Sequence, residues 1–360
     1  MNWNNTGNFI EGCYKQDLFV FRDKVASFDL DGTLIKVKSG SKFPQDENDW
    51  ILFSDTVEQK LQDLYKKKYC LIIISNQAGI SKGKQDKDAW KNKLEQICNK
   101  INLPVKVYAS IGTDHYRKPY KTFWNVITNG INLHKDSFYC GDACGRKNDH
   151  SDTDYKFALN CGINFCTPEF FFDNKKNNES YNVTYNVDLN HIKTLKFNNP
   201  DIMHTKNEMI IIVGFPGSGK TTFVNKYLVP LGYKRINMDT LKTKIKCIKE
   251  CERQIDLGHS VVIDNTNPDP VTRKLYIDIA KKQKKCNIKC IEFTTNMNTA
   301  YHSTHYRCYK SNGLTKSIPM LVYHKYKKIY EEPQKKEGFD EIIKIDFCPP
   351  DDADFYNYYY

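Results

Sequence analysis

The fold of the first half of this chain is decided by Val25-Ala26-Ser27-Phe28-Asp29-Leu30-Asp31-Gly32-Thr33. An apolar strand pattern ends here in two aspartates, Asp29 and Asp31, with one residue between them. Gly32 lets the chain turn, since glycine tolerates backbone angles that other residues avoid. Ligands of open α/β sheets bind at the carboxyl ends of strands. We therefore expect both carboxylates to face one cavity at the end of a buried strand.

Short apolar runs alternate with amphipathic segments along two stretches of the chain, which is typical of parallel α/β domains. Between the first two runs, Val57, Leu61, Leu64 and Tyr65 recur at helical spacing. The sequence therefore predicts two α/β domains with mainly parallel sheets. The apolar runs are Val25–Leu30, Leu71–Ile74, Val105–Ala109 and Phe138–Cys140 in the first stretch, and Met209–Val213, Val261–Ile263, Ile288–Phe293 and Ile342–Ile345 in the second.

Changes in composition divide the chain into four parts. We expect a first domain over residues 1–172 and a second over residues 208–348, with a connection rich in Asn and Lys over residues 173–207. Residues 349–360 form an acidic tail that ends in tyrosines, which we expect to be either frayed or docked on the surface. The polar segment from Met1 to Phe9 lacks the apolar region of a secretory signal.

The composition is that of a globular protein with a basic excess. The chain has 360 residues, 40% of them hydrophobic and 27% charged, and Lys plus Arg outnumber Asp plus Glu by 54 to 43. The net charge of +11 favours polyanionic partners but also fits a lysine-rich surface. The 13 cysteines show no zinc-ligand spacing, so we expect free thiols, and no apolar run reaches transmembrane length. These features predict an intracellular protein without a membrane partner.

The two aspartates of the opening motif are suited to phosphoryl chemistry. An aspartate carboxylate can attack phosphorus and form an acyl phosphate, and a second carboxyl group can protonate the leaving oxygen and then activate water. Two anions that approach a phosphate need a cation, for which Mg²⁺ is the natural choice. The string Asp-x-Asp-Gly-Thr also resembles the first motif of the haloacid dehalogenase (HAD) superfamily.

The rest of the superfamily's pattern follows in order. Ser75 comes after the run Leu71–Ile74, where those enzymes place a hydroxyl group that binds the phosphoryl group. Lys118 stands where their lysine neutralises charge, and Asp142 where an acidic residue completes the metal site. Taken alone, the three residues also fit a strand-end cap, a solvated lysine and a turn residue. Their order favours a HAD-like, Rossmannoid phosphatase domain.

A second site is predicted from Gly214-Phe215-Pro216-Gly217-Ser218-Gly219-Lys220-Thr221, which fits the P-loop pattern and follows the run Met209–Val213. In such a loop, successive backbone N–H groups point at phosphate oxygens, and the following helix adds favourable polarity. Lys220 would reach the β- and γ-phosphates of ATP, and Thr221 would bind Mg²⁺. The predicted ATP-binding residues of this P-loop NTPase domain are Gly214, Gly217, Ser218, Gly219, Lys220, Thr221 and Thr222.

Two later aspartates favour a kinase over another kind of P-loop enzyme. Asp239 follows the segment Lys234–Met238, where a carboxylate can take the proton of an acceptor hydroxyl group. Asp239 could equally be the N-cap of a helix. Asp264 ends the run Val261–Ile263 and could position Mg²⁺-bound water or the acceptor.

A basic group follows in His302, His305 and Arg307. The segment that carries it could form a lid over ATP, in which Arg307 stabilises the transferring phosphoryl group. The same three residues could equally form an exposed basic helix face.

Together these motifs resemble the eukaryotic polynucleotide kinase-phosphatase family from about Lys24 to Phe347, with the phosphatase first and the kinase second. The likeness extends to the segments around the generic motifs. These segments are Val25–Ile35, Trp50, Ser75–Ile80, Lys82–Lys84, Gly141–Arg146, Asp149, Ser151, Asp154, Phe157, Ala158, Thr167–Glu169, Gly214–Gly217, Asp239–Leu241, Val262–Pro268, Glu337–Phe339 and Glu341–Ile342.

The resemblance implies a role for each candidate residue. Asp29 would be the nucleophile and Asp31 the general acid and base, with Lys118 as the catalytic lysine. Asp239 would be the kinase base, and Arg307 completes the predicted catalytic set. The predicted metal ligands are Asp29, Asp31, Asp142 and Thr221, the phosphate-binding residues are Thr33, Ser75 and Asn76, and the supporting residues are Asp154, Asp264, His302 and His305.

The sequence also departs from the family in three places. Many animal members carry an amino-terminal phosphothreonine-binding FHA module, for which the residues before the first motif leave no room. We therefore expect no phosphoprotein partner bound in that way. Ser75 stands where relatives often have Thr. His305 stands where they have Arg, which removes a bidentate fork from the lid.

The pairing of the two predicted activities indicates the substrate. A 3′-phosphatase and a 5′-kinase on one chain produce the 3′-hydroxyl and 5′-phosphate ends that a ligase needs. We expect DNA or RNA ends as partners, bound by a monomer that is nuclear if the source is cellular and cytoplasmic if it is viral. Two alternatives stay open: a HAD small-molecule phosphatase fused to a P-loop metabolite kinase, and a repair scaffold with decayed sites.

Overall fold

The computed structural model of the chain describes residues 1–176, 180–183, 187, 192, 206–282, 286–347, 350 and 352–360. The chain divides into two compact units, each described separately below. The first unit contains Met1–Asn186, Cys308–Leu314 and Asn357–Tyr360, and the second contains Val187–Arg307 and Thr315–Tyr356. Most of the predicted connection over residues 173–207 lies outside the described residues.

The first unit is built on one large sheet, here called the first sheet. The strands of this unit are β1 (Asn2–Thr6), β2 (Phe9–Tyr14), β3 (Val25–Phe28), β4 (Ile35–Lys36), β5 (Ile51–Leu52), β6 (Cys70–Asn76), β7 (Val105–Ser110), β8 (Phe138–Cys140) and β9 (Asn164–Cys166). Its helices are α1 (Val57–Lys66), α2 (Ala78–Ser81), α3 (Lys87–Ile101), α4 (Thr122–Thr128), α5 (Thr153–Cys161) and α6 (Pro168–Asp173).

The first sheet has β3 near its centre, with the strand order β1-β2-β7-β6-β3-β8-β9, and β4 pairs separately with β5. The pairs from β7 through β9 are parallel, whereas β1–β2 and β2–β7 are antiparallel. Along β3, Val25 packs into one apolar cluster, whereas Ala26 and Phe28 pack into the other. Because both faces are covered, the strands of such a sheet show the continuous apolar runs seen in the sequence.

The antiparallel hairpin at the edge of the first sheet was not predicted. The polar segment Met1–Phe9 supplies β1, which pairs with β2 so that Asn2 lies opposite Cys13. Trp3 packs partly buried against the core and donates a hydrogen bond from Nε1 to Glu95 Oε1 over 2.8 Å. A strand made largely of asparagine lacks the alternation of apolar and polar residues by which half-buried strands are recognised.

The second unit is built on a smaller sheet, here called the second sheet. Its strands are β10 (Glu208–Val213), β11 (Lys234–Ile236), β12 (Val261–Ile263), β13 (Asn287–Phe293) and β14 (Glu341–Ile345). Its helices are α7 (Lys220–Phe223), α8 (Met238–Leu241), α9 (Lys244–Asp256), α10 (Pro270–Lys282), α11 (Met297–Lys310) and α12 (Met320–Ile329), and α11 runs on to residues assigned to the first unit.

The second sheet has the strand order β11-β12-β10-β13-β14, and all of these pairs are parallel. Met209, Ile211 and Val213 pack into one apolar cluster, and Ile210 and Ile212 pack into the other. The alternation follows from the two-residue repeat of side chains along a strand. The central strand is therefore covered on both faces.

The prediction of two mainly parallel α/β domains is confirmed. Each apolar run singled out in the sequence forms a strand, and the helix predicted from Val57, Leu61, Leu64 and Tyr65 is α1. The described cysteines carry free thiols, as expected. None of the helices in the described ranges is both long and apolar enough to span a bilayer.

A buried arginine ties the carboxyl-terminal part of the second unit to α10. Arg273 is fully buried, and its Nε and Nη2 atoms donate hydrogen bonds to Glu337 over 2.7 and 2.8 Å. Its Nη1 atom donates to the carbonyl oxygens of Asn267, Pro268 and Glu331. Glu337 is held by Arg273, and Phe339 lies in the core of the second unit. These contacts explain why the segment Glu337–Phe339 has a structural role.

Replacing Arg273 with methionine should destabilise the second unit strongly. The change leaves the largely buried Glu337 carboxylate without its ion-pair partner, a loss that costs about 3 kcal/mol or more for a buried pair. We expect urea titration of the full chain to show an earlier transition with loss of ATP binding. The neighbouring exposed pair of Lys274 and Asp278 offers a control, since Lys274→Met should change the free energy of unfolding by less than about 1 kcal/mol. Equal effects of the two changes would contradict this account.

Candidate active sites

The first candidate site lies where neighbouring strands of the first sheet end. Asp29 directly follows β3, Ser75 lies near the end of β6, and Asp142 comes two residues after β8. Because β6 and β8 both pair with β3 in parallel, their carboxyl ends lie at the same edge of the sheet. The three predicted site residues are therefore brought to one place.

A buried lysine is the centre of this site. Lys118 is 2% exposed, and its ammonium nitrogen lies 2.9 Å from Asp29 Oδ1 and 2.7 Å from Asp154 Oδ1. It also donates a hydrogen bond to Tyr139 Oη over 2.6 Å, and Tyr139 donates in turn to the carbonyl oxygen of Ile74 over 2.9 Å. Burial opposes the charged form of Lys118, but Asp154 and Asp29 raise its pKa. Lys118 is therefore a fixed positive charge beside the predicted nucleophile.

Three carboxylates form a cluster that could hold a metal ion. One oxygen from each of Asp29, Asp142 and Asp154 lies within 4.8 Å of the other two. Burial raises the pKa of Asp29 to about 6, although Lys118 opposes the shift. Burial, with the charges of Asp154 and Asp29, raises the pKa of Asp142 to about 8. The negative charge at Asp142 is thus poorly compensated, and the donor set fits a divalent cation.

Gly32 allows the opening motif to approach this cluster closely. Its φ angle of 80° lies in the left-handed region. A Cβ atom at this position would lie 2.5 Å from Asp142 Oδ2. A side chain at position 32 would therefore displace a predicted metal ligand, which explains the need for glycine in physical terms.

Asp31 lies beside the cluster and has partners of its own. Its side chain is 50% exposed, and Asp31 Oδ1 pairs with Lys93 Nζ over 3.2 Å. Asp31 Oδ2 accepts a hydrogen bond from Gln77 Nε2 over 2.7 Å. The three-carboxylate cluster contains Asp154 and not Asp31, so a metal contact of Asp31 stays a prediction, as does its role as general acid and base.

The predicted phosphate-binding residues surround the same edge. The Thr33 hydroxyl group donates to Asp142 Oδ1 over 3.3 Å, and Ser75 Oγ accepts from Gln77 Nε2 over 2.9 Å. Asn76 instead binds the backbone of Lys118, accepting from its N–H group over 2.9 Å and donating to its carbonyl oxygen over 3.2 Å. Asn76 thus holds the loop that carries the lysine, and phosphate binding by the three residues stays a prediction.

The second candidate site is the loop between β10 and α7. Lys220 is 7% exposed, and its ammonium group donates to the carbonyl oxygens of Gly214 over 3.0 Å and Phe215 over 2.5 Å, and to Ser218 Oγ over 3.3 Å. Burial lowers the pKa of Lys220 to about 8, although Asp264 opposes the shift. The loop therefore folds around its own lysine, whose ammonium group is held by loop oxygens.

A hydroxyl group and a carboxylate meet beside this loop. Thr221 Oγ1 donates to Asp264 Oδ2 over 2.9 Å, and Arg235 Nε donates to the same oxygen over 2.7 Å. Asp264 Oδ1 is buried and has no hydrogen-bond partner in the part of the chain that the structure describes. A hydroxyl oxygen beside a carboxylate with an unused oxygen suits Mg²⁺. Thr222, also predicted to bind ATP, is exposed on α7.

The alternative that Asp239 caps a helix is wrong. Asn237 is the N-cap of α8, since its Oδ1 atom accepts hydrogen bonds from the N–H groups of Asp239 and Thr240 over 2.9 and 3.3 Å. The Asp239 carboxylate is exposed and makes no hydrogen bond or ion pair with other described residues. Its negative charge acts to raise the pKa of Lys220, which places it near the P-loop. Asp239 therefore remains available as a base.

Of the three basic residues predicted on α11, His302 and His305 are buried and Arg307 is exposed. His302 is 4% exposed, its Nε2 atom lies 2.9 Å from the carbonyl oxygen of Phe355, and burial lowers its pKa to about 4. His302 is therefore neutral near pH 7, and the expectation that it adds positive charge is corrected. His305 is also buried, so neither histidine belongs to an exposed basic helix face. Arg307 is exposed, and its charge lowers the pKa of Lys220.

Several residues of the two sites were missed in the sequence. Lys93 and Tyr139 carry no local signal, because their partners are distant along the chain and no motif marks them. Arg235 lies on the strand before Asp239, and only the fold shows that it meets Asp264. Gln77 and Asn237 lie beside residues that were singled out, so their polar side chains next to strand ends were the available signal.

Two family models match this chain. The model described as polynucleotide kinase 3 phosphatase matches residues 24–172, and the model described as an AAA domain matches residues 209–333. With the folds and the two sites described above, these matches define the class of the protein. It is a two-part enzyme that joins a HAD-like phosphatase to a P-loop kinase.

The curated relatives identify the family. A bifunctional polynucleotide phosphatase/kinase of Schizosaccharomyces pombe is 39% identical over 94% of this chain and 83% of that protein. A protein of Acanthamoeba polyphaga mimivirus, provisionally given the same two activities, is 33% identical over 96% of this chain and 90% of that protein. Polynucleotide 3′-phosphatase ZDP of Arabidopsis thaliana is 35% identical over 42% of this chain and 24% of that protein. The chain belongs to the bifunctional polynucleotide phosphatase/kinase family.

Replacing Gly217 with alanine should disrupt nucleotide binding. Gly217 has a φ angle of 79°, and a Cβ atom there would lie 2.4 Å from the carbonyl oxygen of Ala300 and 2.5 Å from Thr304 Cγ2. The P-loop must then move away from α11. We expect the affinity for a fluorescent ATP analogue to fall more than about tenfold, since phosphate binding depends on the positions of backbone N–H groups.

Gly232 provides the matched control in the same unit. Its φ angle of 98° is equally unfavourable for alanine, but a Cβ atom would meet nothing within 4 Å. Gly232→Ala should therefore cost about 1–2 kcal/mol of stability and leave nucleotide affinity unchanged. If both variants bind the analogue as the wild type does, close packing of Gly217 is not required for the loop.

Proposed function

We propose that this chain repairs the ends of broken nucleic-acid strands by removing 3′-phosphates and by phosphorylating 5′-hydroxyl groups with ATP. The observation that carries the proposal is that one chain brings together predicted catalytic residues at two separate places. One is the Asp29 carboxylate beside the buried Lys118, and the other is a P-loop with Asp239 exposed nearby. Membership of the polynucleotide phosphatase/kinase family supports the choice of substrate.

In the phosphatase reaction, Asp29 attacks the phosphorus atom of the terminal 3′-phosphate. The P–O bond to the sugar breaks as the acyl phosphate forms, and Asp31 gives a proton to the leaving 3′-oxygen. Asp31 then takes a proton from the water molecule that hydrolyses the acyl phosphate. Lys118 neutralises the charge of Asp29 as the phosphate dianion approaches, because its ammonium group lies within ion-pair distance. Thr33 and Ser75 provide hydroxyl groups for the phosphoryl oxygens.

The first site fits Mg²⁺ through its carboxylates. Asp29, Asp142 and Asp154 offer oxygen ligands close to one another, and Lys118 alone cannot balance three carboxylates. When bound, Mg²⁺ supplies positive charge to the phosphate oxygens. Thr221 and Asp264 are the corresponding candidates in the second unit, given the unused Asp264 Oδ1 atom.

In the kinase reaction, Asp239 takes the proton of the 5′-hydroxyl group as its oxygen attacks the γ-phosphorus of ATP. Lys220 and the N–H groups of the glycine-rich loop hold the β- and γ-phosphates. Arg307 stabilises the charge of the transferring phosphoryl group. The ammonium group of Lys220 must exchange its loop carbonyl partners for phosphate oxygens when ATP binds.

The remaining parts of the proposal concern organisation and partners. The phosphatase domain covers residues 1–172, the kinase domain residues 208–348, and the chain acts as a monomer on DNA or RNA ends. It acts in the nucleus of a cellular source or in the cytoplasm if the source is viral.

The two activities should be separable by single substitutions. Asp29→Asn removes the nucleophile and should lower 3′-phosphatase turnover by at least roughly 10³-fold while leaving the kinase intact. Lys220→Ala should abolish the kinase and spare the phosphatase. An end-labelled oligonucleotide bearing a 3′-phosphate and a 5′-hydroxyl group measures both reactions in one tube.

The substrate class is tested in the same assay with matched DNA and RNA strands, free nucleotides and sugar phosphates. Faster turnover of the small molecules would favour a small-molecule phosphatase joined to a metabolite kinase. Absence of both activities in folded protein with Mg²⁺ and ATP would favour a scaffold. Loss of both activities in either single variant would contradict two independent sites.

Asp239→Asn should separate kinase chemistry from nucleotide binding. An amide cannot accept the hydroxyl proton, so kinase turnover should fall by about 10²–10⁴-fold. Because the Asp239 carboxylate contacts no other described side chain, the fold and ATP affinity should be unchanged. Calorimetric titration with ATP checks this, and a large loss of nucleotide affinity would assign Asp239 to binding instead.

A further inference from the structure

The last residues of the sequence belong to the first unit, although they follow the second sheet in the chain. Asn357–Tyr360, here called the tyrosine tail, groups with Met1–Asn186 and Cys308–Leu314. Tyr358 is 2% exposed, and its ring stacks on Tyr309 with centroids 5.0 Å apart. The tail is therefore docked and not frayed.

The tyrosine tail packs against Tyr120, which lies two residues after Lys118. Tyr120 is 3% exposed, and its ring centroid lies 6.0 Å from that of Tyr358 and 5.3 Å from that of Tyr360. Aromatic pairs at such separations contribute about 0.5–1.5 kcal/mol each beyond their burial. Tyr120 is two residues from Lys118, so this packing fixes the loop close to the ammonium group.

One side chain joins the tail to the same loop through hydrogen bonds. Asn160 is 6% exposed, and its Nδ2 atom donates to the carbonyl oxygen of Pro119 over 2.8 Å and to that of Tyr359 over 2.7 Å. Its Oδ1 atom accepts from the N–H group of Tyr359 over 2.6 Å. Because the amide is bonded on both sides, Asn160 cannot rotate without breaking its contact with Pro119. The tail thereby locks the orientation of Asn160.

The peptide around Lys118 is consequently held from two sides. Asn76 binds the N–H and carbonyl groups of Lys118 itself, and Asn160 binds the carbonyl group of Pro119. Loops are otherwise the mobile parts of a fold, and a misplacement of about 1 Å in a catalytic group can cost about 10²-fold in rate. Asn76 belongs to the phosphatase motifs. The contact of Asn160 with Pro119, by contrast, is held in place by Tyr359 of the tyrosine tail.

We propose that the tyrosine tail is a positioning segment for the phosphatase, which holds Lys118 in its catalytic place through Asn160 and Tyr120. The inference rests on the proposed role of Lys118. It makes turnover of 3′-phosphates depend on residues 357–360, which lie beyond the kinase strands in the sequence. The kinase reaction does not use this contact.

The test is a chain that ends at Tyr356, compared with the wild type and with Asn160→Ala. We expect phosphatase kcat to fall about tenfold or more in both variants, with little change in KM for the oligonucleotide and in kinase kcat. Removing the tail in the Asn160→Ala background should cause a smaller loss than removing it from the wild type, since the two changes share the Asn160 contact and only the packing on Tyr120 is left to lose. Hydrogen exchange of the Lys118 amide should become faster in the shortened chain.

Asn164→Ala is the matched control, because Asn164 also bonds backbone carbonyl groups, those of Lys135 and Ser137, but does not contact the tail. It should leave both activities unchanged. The proposal is overturned if the shortened chain keeps wild-type phosphatase kcat, or if both activities fall together with the unfolding temperature. Full phosphatase activity of Lys118→Ala would instead overturn the role of the lysine, and the positioning proposal with it.

Discussion

The phosphatase half of this enzyme depends on one buried ion-pair network, in which the Lys118 ammonium group lies between Asp29 and Asp154. A charged amine is removed from water only where carboxylates and hydrogen-bond acceptors replace its hydration. Tyr139 provides the third acceptor. Burial, with the charges of Asp154 and Asp29, raises the pKa of Asp142, and Lys118 offsets this only in part. The burial of one amine thus gathers three carboxylates that could hold a metal ion at the edge of the first sheet.

The two sites use the same property of parallel sheets. Asp29 follows β3 and lies beside the ends of β6 and β8, whereas the P-loop follows β10 and lies beside Asp264 at the end of β12. Parallel strands direct their carboxyl ends to one edge, so groups distant in sequence converge there. The convergence brings Thr221 to Asp264 and Lys118 to Asp29 without any special local sequence. The motif that follows the central strand, two aspartates after β3 and a glycine-rich loop after β10, instead determines which reaction is predicted at each site.

Much of this arrangement is legible in the sequence, because covered parallel strands are continuous apolar runs and phosphate-binding loops need glycine. The asparagine-rich β1 was missed, since its partner strand and not its own pattern defines it. Lys93 and Arg235 were missed because ion pairs between distant residues leave no periodic signal. His302 was misjudged, since a titratable ring buried against Phe355 looks identical in sequence to an exposed one.

Each sheet lies between its own pair of apolar clusters, one pair built around β3 and β6 and the other around β10 and β13. Cooperative melting arises from a shared core, so a single melting temperature describes a chain with separate cores only if they unfold together. Thermal unfolding followed by calorimetry, together with one spectroscopic probe in each unit, would show which core a given substitution weakens.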